Sequence, residues 1–381
     1  MSKPFPLAAF VVAILGPIPV LAIDSDIDRT IRWTDGVVNA VAQPLIVTAS
    51  SPPSGGDRLA DPSDLTTSAG IDLSGVGRLF LDVNVEVGSG AICSSSLLEG
   101  GRFLLTAAHC VTNDQGELAV LDGLDGNSAT FATTAGSFTA EFTSDDISVH
   151  PQYNGDVRDG FDVAVIDLGG ELPSSVARYA LHDGSVNEAD AHLAAGFGQS
   201  GDGAAGATIG AGQLRSGINN FLSVGLPVGG ITNQLTQLTA DFDSGLVEDD
   251  AFAVFDDALF GTTLDDPFND GLGFGLDEVG VAPGDSGGPS FLVGADGVVV
   301  AGVHSYGLRL ELLNGDTSDI DAVLNSSFGE FYIDARVAEA SVLGFIQSVA
   351  IPEPATGLQM LLAIGAAAGT RRRQCGGNVQ G

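Results

Sequence analysis

The chain has 381 residues, a formal charge of −35, 44% hydrophobic residues and 53 glycines. That apolar share is enough to bury a core, so the charge does not make the chain a disordered acidic polymer, and glycine at about twice its usual share without a three-residue period excludes a collagen-like fibre and favours a turn-rich β protein. With 14 basic residues against 49 acidic ones, and Lys3 as its single lysine, the chain lacks the clustered cations that phosphate binding needs, which excludes nucleic acid as a partner.

Residues 1–22 combine Lys3, an apolar run from Leu7 to Leu21 and a small-residue end at Val20-Leu21-Ala22. This is the pattern of a secretory signal peptide rather than of a buried first strand, and export puts the cysteines in an oxidising compartment. Residues 23–75, rich in Asp, Ser, Pro and Thr and containing Ser50-Ser51-Pro52-Pro53-Ser54-Gly55-Gly56, read as an irregular leader and linker. Between residues 23 and 350 lie ten arginines, no lysine and all but one of the acidic residues, so the mature body is an anion that resists aggregation.

From residue 76 the pattern changes to short β-like runs, Arg78–Val85, Phe103–Thr106 and Val163–Ile166, separated by turn residues. A glycine-dense stretch from Gly196 to Gly212 divides them from a second set, in which Ser290–Val293, a turn with Asp296-Gly297, and Val298–Ala301 predict a hairpin. The spacing of Val342, Phe345, Ile346 and Val349 predicts a helix over residues 337–349. The domain boundaries read from these changes are 76–187 and 188–348.

Residues 349–381 hold Pro352-Glu353-Pro354, a weakly apolar stretch from Ala355 to Thr370, and Arg371-Arg372-Arg373. The stretch falls short of the roughly 20 residues of a comfortable span, and the arginines would keep its end in the cytoplasm. The order resembles the PEP-CTERM sorting signal of Gram-negative bacteria, which implies an exosortase-type processing enzyme as partner, transient membrane contact, and an extracellular or outer-surface matrix location. A plain C-terminal anchor is the other reading.

Three segments carry chemistry: Leu105-Thr106-Ala107-Ala108-His109-Cys110, Asp162-Val163-Ala164-Val165-Ile166-Asp167-Leu168, and Gly284-Asp285-Ser286-Gly287-Gly288-Pro289. A serine hydroxyl is a feeble nucleophile that needs a base, histidine suits that task near neutral pH, and a buried carboxylate orients the ring and stabilises the imidazolium. Asp159 and Asp167 are rivals for the acid; His150, His182 and His192 read as structural, and Asp241, Asp243, Glu248, Asp249 and Asp250 as solvated surface. Three cysteines are too few for a disulfide scaffold, and no spacing suggests a metal or cofactor site.

In their His, Asp, Ser order these segments resemble the chymotrypsin-like (trypsin-type) serine proteases over residues 76–348. Gly284-Asp285-Ser286-Gly287-Gly288 also fits the nucleophile elbow of α/β-hydrolases, but that fold needs its acid and histidine after the serine, and only His304 follows. The resemblance implies an all-β fold of two six-stranded antiparallel barrels with a C-terminal helix, and a serine endopeptidase acting on protein or peptide substrates. It implies His109, Asp162 and Ser286 as the catalytic triad, Gly284 and Ser286 as backbone donors to the oxyanion, and a Cys93–Cys110 disulfide. It further implies that Ser305 supports Asp162, that Ser305, Tyr306 and Gly307 pair with substrate, and that Gly280 is the pocket base, where the absence of Asp argues against Arg/Lys preference. Glutamate-specific bacterial relatives carry a histidine at the position of His304, which implies Glu before the scissile bond; a small or apolar pocket is the other reading. The chain departs from the family in lacking an Ile-Val-Gly-Gly start whose ammonium would meet Asp285; Ile71 stands at a plausible distance, after Ala69-Gly70. That departure motivates the alternative function, a catalytically silent exported matrix or binding protein on the same fold.

Overall fold

The computed structural model describes residues 30–43, 58–59, 71–83, 90–122, 126–134, 136–186, 190–259, 273–274, 278–294 and 297–350. The signal segment, the Ser/Pro-rich linker and the C-terminal sorting segment lie outside them, as does residue 296 in the hairpin turn. Among the described residues the chain folds into two large curled, predominantly antiparallel sheets, a two-stranded ribbon of Ser200–Asp202 and Gly206–Ile209, and a C-terminal helix, the architecture of a chymotrypsin-like double barrel.

The first sheet has seven strands, in the order Gly136–Phe142, Asn127–Thr133, Val76–Leu81, Ala91–Leu97, Phe103–Thr106, Ala164–Asp167 and Ile147–Val149. Strict alternation along Asn127–Thr133 sends Ala129 and Phe131 inward and Ser128 and Thr130 outward, the period-two pattern of a half-buried strand. Phe103–Thr106 and Ala164–Ile166 are instead covered on both faces, which is why they read as continuous apolar runs.

The second sheet has eleven strands. Its centre is the long strand Gly297–Leu312, flanked by Glu330–Arg336 on one side and Pro289–Gly294 on the other. Beyond Pro289–Gly294 follow Asp190–Gly196 and Arg215–Phe221; beyond Glu330–Arg336 lies Gln237–Phe242. The predicted hairpin is present, with Val293 opposite Val298. Both sheets exceed six strands because additional segments pair with their edges, among them Ala180–Leu181, parallel to Val299–Val300.

The reading of residues 23–75 as irregular is corrected: Arg58–Leu59 pairs with Arg215–Ser216, Ile71 and Leu73 join the first core, and the leader supplies a hairpin. Ile31–Thr34 and Val38–Gln43 form a hairpin, and Val38–Gln43 pairs antiparallel with Gly307–Leu312. Val38, Ala40 and Ala42 are buried with Leu308, Leu310, Phe252 and Phe331, so alternate apolar residues in a sparse, polar-looking stretch find a sheet edge to cover.

The terminal helix runs Ala340–Ala350. Val342 and Ile346 point into the first core cluster with Val165, Phe161 and Val337, and Phe345 and Val349 pack against it. Each fully buried aliphatic side chain of this kind contributes about 1.5–3 kcal/mol. Glu339 begins the helix by accepting from the Ser341 and Val342 N–H groups, an anion where the helix N-terminus favours one.

Candidate functional site

His109 lies in a short 3-10 turn, Ala108–Cys110, directly after the buried strand Phe103–Thr106, and is 6% exposed. Asp162, 1% exposed, precedes the strand Ala164–Asp167. Pairing of these two strands, Ala164 opposite Thr106, brings the two side chains together across the sheet. The His109 Nδ1 stands 2.7 Å from Asp162 Oδ2, and the His109 backbone N–H donates to Oδ1 at 2.8 Å. Ser305 Oγ donates to Oδ2 at 2.5 Å. Burial opposes ionisation of Asp162, but the facing imidazole and these three donors outweigh it and hold the carboxyl below the usual range. Nδ1 is thereby committed, and Nε2 is the ring nitrogen left to exchange a proton.

Ser286 sits on the turn leading into Pro289–Gly294 and is 5% exposed. Its carbonyl accepts from the Ser94 N–H at 2.8 Å, and Gly287 N–H donates to the His304 carbonyl at 2.8 Å. The loop therefore bridges the first sheet to the second. Cys110 Sγ, disulfide-bonded to Cys93 as expected, lies 3.6 Å from the Ser286 carbonyl oxygen and 3.9 Å from His109 Nε2, so the serine segment and the free imidazole nitrogen share one small neighbourhood. Glycine is required at 287, with φ +83°, because a Cβ there would stand 2.1 Å from Thr106 Oγ1 and 2.4 Å from the Ser94 carbonyl.

The peptide groups around Ser286 have defined directions. The Pro283 carbonyl accepts from Gln199 N–H at 2.8 Å and the Asp285 carbonyl from Gly288 N–H at 2.7 Å. In a trans peptide the N–H points opposite the C=O, so the Gly284 and Ser286 N–H groups face away from those partners. Ser94, which the sequence reading passed over, organises the turn. Its Oγ donates to the Gly284 carbonyl at 3.0 Å and accepts from Phe197 N–H at 2.9 Å, while Thr106 Oγ1 donates to the Ser94 carbonyl at 2.8 Å. Its partners lie 103 and 190 residues away, and no local motif announces that.

Asp285 is buried and accepts from the Gly198 N–H at 2.6 Å, so it has a partner within the fold other than a chain terminus. Ile71 is buried in the first core. Gly280 and Asp285 line a small, half-open pocket together with Val279, Ala195 and Arg215. His304 is 1% exposed; its Nδ1 stands 2.9 Å from Asp334 Oδ1, and its buried Nε2 has no partner among the described residues.

The remaining histidines and acids are engaged elsewhere. His150 stacks on Phe161 at 5.0 Å between ring centres and meets Phe345 of the terminal helix; His192, held neutral by burial that pushes its pKa down to about 3, meets the Tyr332 hydroxyl. His182 Nε2 stands 3.2 Å from the Ser185 carbonyl. Asp167 pairs with Arg102, and Asp159 accepts from Asn154 and Thr232.

The expectation of a solvated acidic surface is corrected for Asp241, Asp243, Asp249 and Asp250, all buried, whereas Glu248 is exposed. Burial pushes Asp241 and Glu278 well above the carboxylate range and Asp243 up to about 6, so shared protons and turn N–H groups such as Gly245 onto Asp243 offset the loss of water. Oxygens of Asp241, Asp243 and Glu278 lie within 4.8 Å of one another, a donor set of the type a hard cation takes but short of the six to eight ligands of calcium. Cys93 and Cys110, which flank His109, are tied in the disulfide and offer no thiolate.

Residues 79–219 match the trypsin family model. The match includes His109 and Asp162 and ends before Ser286; no curated protein matches the chain. The matched residues span most of the first sheet and carry the buried His109–Asp162 pair, while the central strands of the second sheet lie beyond them. Among the described residues no helix is long and apolar enough to cross a membrane.

Proposed function

We propose that the chain is an exported serine endopeptidase. The observation that carries the reading is the buried His109–Asp162 pair, with Nδ1 committed to the carboxylate and Ser305 completing it, beside the serine turn of a chain whose residues 79–219 match the trypsin model. In this mechanism His109 Nε2 takes the proton of Ser286 Oγ as the oxygen attacks the substrate carbonyl. Asp162 stabilises the imidazolium, and the N–H groups of Gly284 and Ser286 receive the developing oxyanion, each such donor being worth roughly 10²–10³ in rate. The imidazolium then protonates the leaving amine, and water, deprotonated by the same nitrogen, releases the acyl group from Ser286.

We assign the enzyme a preference for glutamate before the scissile bond, met by His304. Support comes from its unpartnered, buried Nε2 and from glycine at position 280, where no aspartate stands to receive Arg or Lys. Export and exosortase-type release rest on the terminal segments of the sequence.

A fluorophosphonate probe tests the activity. Covalent labelling of the wild-type protein, lost in Ser286→Ala, is expected; absence of labelling of correctly processed protein favours the silent binding protein. A panel of peptides varied only at the residue before the scissile bond tests the pocket, and indifference to Glu refutes the role of His304. Intact mass and N-terminal sequencing of secreted protein test the processing.

A further inference from the structure

The edge of the strand Gly297–Leu312 that faces away from Glu330–Arg336 is occupied in two places. Pro289–Gly294 pairs with it up to Val303, and Val38–Gln43 pairs with it from Gly307 onward. Both lie on the same edge, because Gly307 and Leu308 pair at once with Gln43 and Ala42 and, on their other side, with Tyr332 and Phe331. His304 is taken up on this edge by Gly287 and Gly288, whose N–H and carbonyl meet its carbonyl and N–H. What remains without a strand partner on this side, among the described residues, is Ser305 and Tyr306, one step from the Ser286 turn.

On the resemblance already described, the acyl side of a peptide substrate adds to the sheet at this gap; we propose that the leader strand Val38–Gln43 closes its far end at Gly307, limiting productive pairing to the two residues that precede the scissile bond. The proposal rests on the peptidase reading above. A peptide that adds antiparallel at Ser305 and Tyr306 runs in the same direction as Val38–Gln43, so its third residue back from the scissile bond would need the position opposite Gly307 that Gln43 holds. Main-chain pairing at a sheet edge accommodates one strand at a time.

The block is built into the fold rather than laid on it. Val38, Ala40 and Ala42 are at most 1% exposed. The hairpin is pinned at its other strand by Trp33, whose Nε1 donates to the Gly229 carbonyl at 2.5 Å and whose ring lies 4.8 Å below the Arg158 guanidinium; Asp35 accepts from the Gly229 N–H at 2.9 Å. Arg158 stands in the turn just before Asp162, so the same hairpin braces the loop that carries the acid.

The test compares two ester substrates with the same residue before the scissile bond, chosen from the peptide panel, and two or four residues on the acyl side. An open edge would reward the longer substrate through two further main-chain hydrogen bonds, worth about tenfold or more in kcat/KM; on the wild-type chain the gain is expected to stay within about twofold. Ala42→Glu places a charge in the buried seam and is expected to release the strand, so that the ratio of kcat/KM for the longer substrate to that for the shorter rises about tenfold, whatever the change in absolute rate. A wild-type gain above about threefold overturns the proposal, as does a folded Ala42→Glu protein that still ignores length. If that variant fails to fold, the wild-type length series decides alone. Failure of both substrates together with absence of fluorophosphonate labelling overturns the peptidase reading and this inference with it, whereas labelling with the wrong length dependence overturns the inference only.

Discussion

Replacing Ser94 by alanine isolates what one hydroxyl does for the serine turn. The side chain is fully buried, and its removal orphans two main-chain groups, the Gly284 carbonyl and the Phe197 N–H. The backbone bond from Ser94 N–H to the Ser286 carbonyl stays in place. A buried main-chain group left unsatisfied costs about 1–3 kcal/mol, so Ser94→Ala is expected to lose roughly 2–5 kcal/mol of stability, which for a chain of this size lowers Tm by about 3–9 °C. The Gly284 peptide also loses the partner that fixes its orientation, so kcat on an ester substrate is expected to fall about tenfold or more with KM little changed, the signature of an interaction felt mainly in the transition state. Thermal denaturation followed by circular dichroism reads the first effect, and steady-state kinetics with active-site titration the second. A Tm within about 1 °C of wild type together with an unchanged kcat would refute the reasoning, because it would mean that the orphaned groups found new partners at no cost.

The remaining predictions concern stability. Asp243, raised by burial from 3.8 to about 6, binds its proton more tightly in the folded chain, so its contribution is fully present below pH 3.8 and is lost as the pH rises through about 6; Asp243→Asn is therefore expected to be the more stable protein at pH 8, by up to about 3 kcal/mol, and the equal of wild type at pH 3.5. Denaturant titrations at the two pH values check this, and an equal loss at both would remove the cause assigned. Ile346→Ala, which empties a fully buried site under the terminal helix, is expected to cost about 2–5 kcal/mol, measured by the same titrations. Reduction of the Cys93–Cys110 bridge, which closes a 17-residue separation, is expected to cost about 3 kcal/mol on a loop-entropy basis and to slow esterolysis, since both sulfurs lie within 4.8 Å of a His109 ring nitrogen and Cys110 Sγ lies 3.6 Å from the Ser286 carbonyl oxygen; unchanged esterolysis would leave the bridge a purely global restraint.

What the sequence by itself determined is local. The strand Phe103–Thr106 followed at once by His109, the run Asp162–Leu168, the glycine-framed Ser286 turn, the 290–301 hairpin and the helix around Val342 and Ile346 each carry their pattern within a dozen residues, where propensity, alternation and turn chemistry suffice. Tertiary structure decided matters that depend on distant partners. Ser94 is an unremarkable serine until Gly284 and Phe197 arrive from the other sheet. Asp241, Asp243 and Asp250 read as surface because charge predicts exposure, yet packing of Glu278 and the Ala251–Leu259 helix against them removes water and raises their pKa values instead. Val38, Ala40 and Ala42 belong to a polar stretch too weak to predict a strand, and only the open edge at Gly307–Leu312 makes their burial favourable. A sheet edge is created by chain far from the segment that fills it, so no window on the leader could have disclosed that Gln43 comes to stand opposite Gly307, one step from Tyr306.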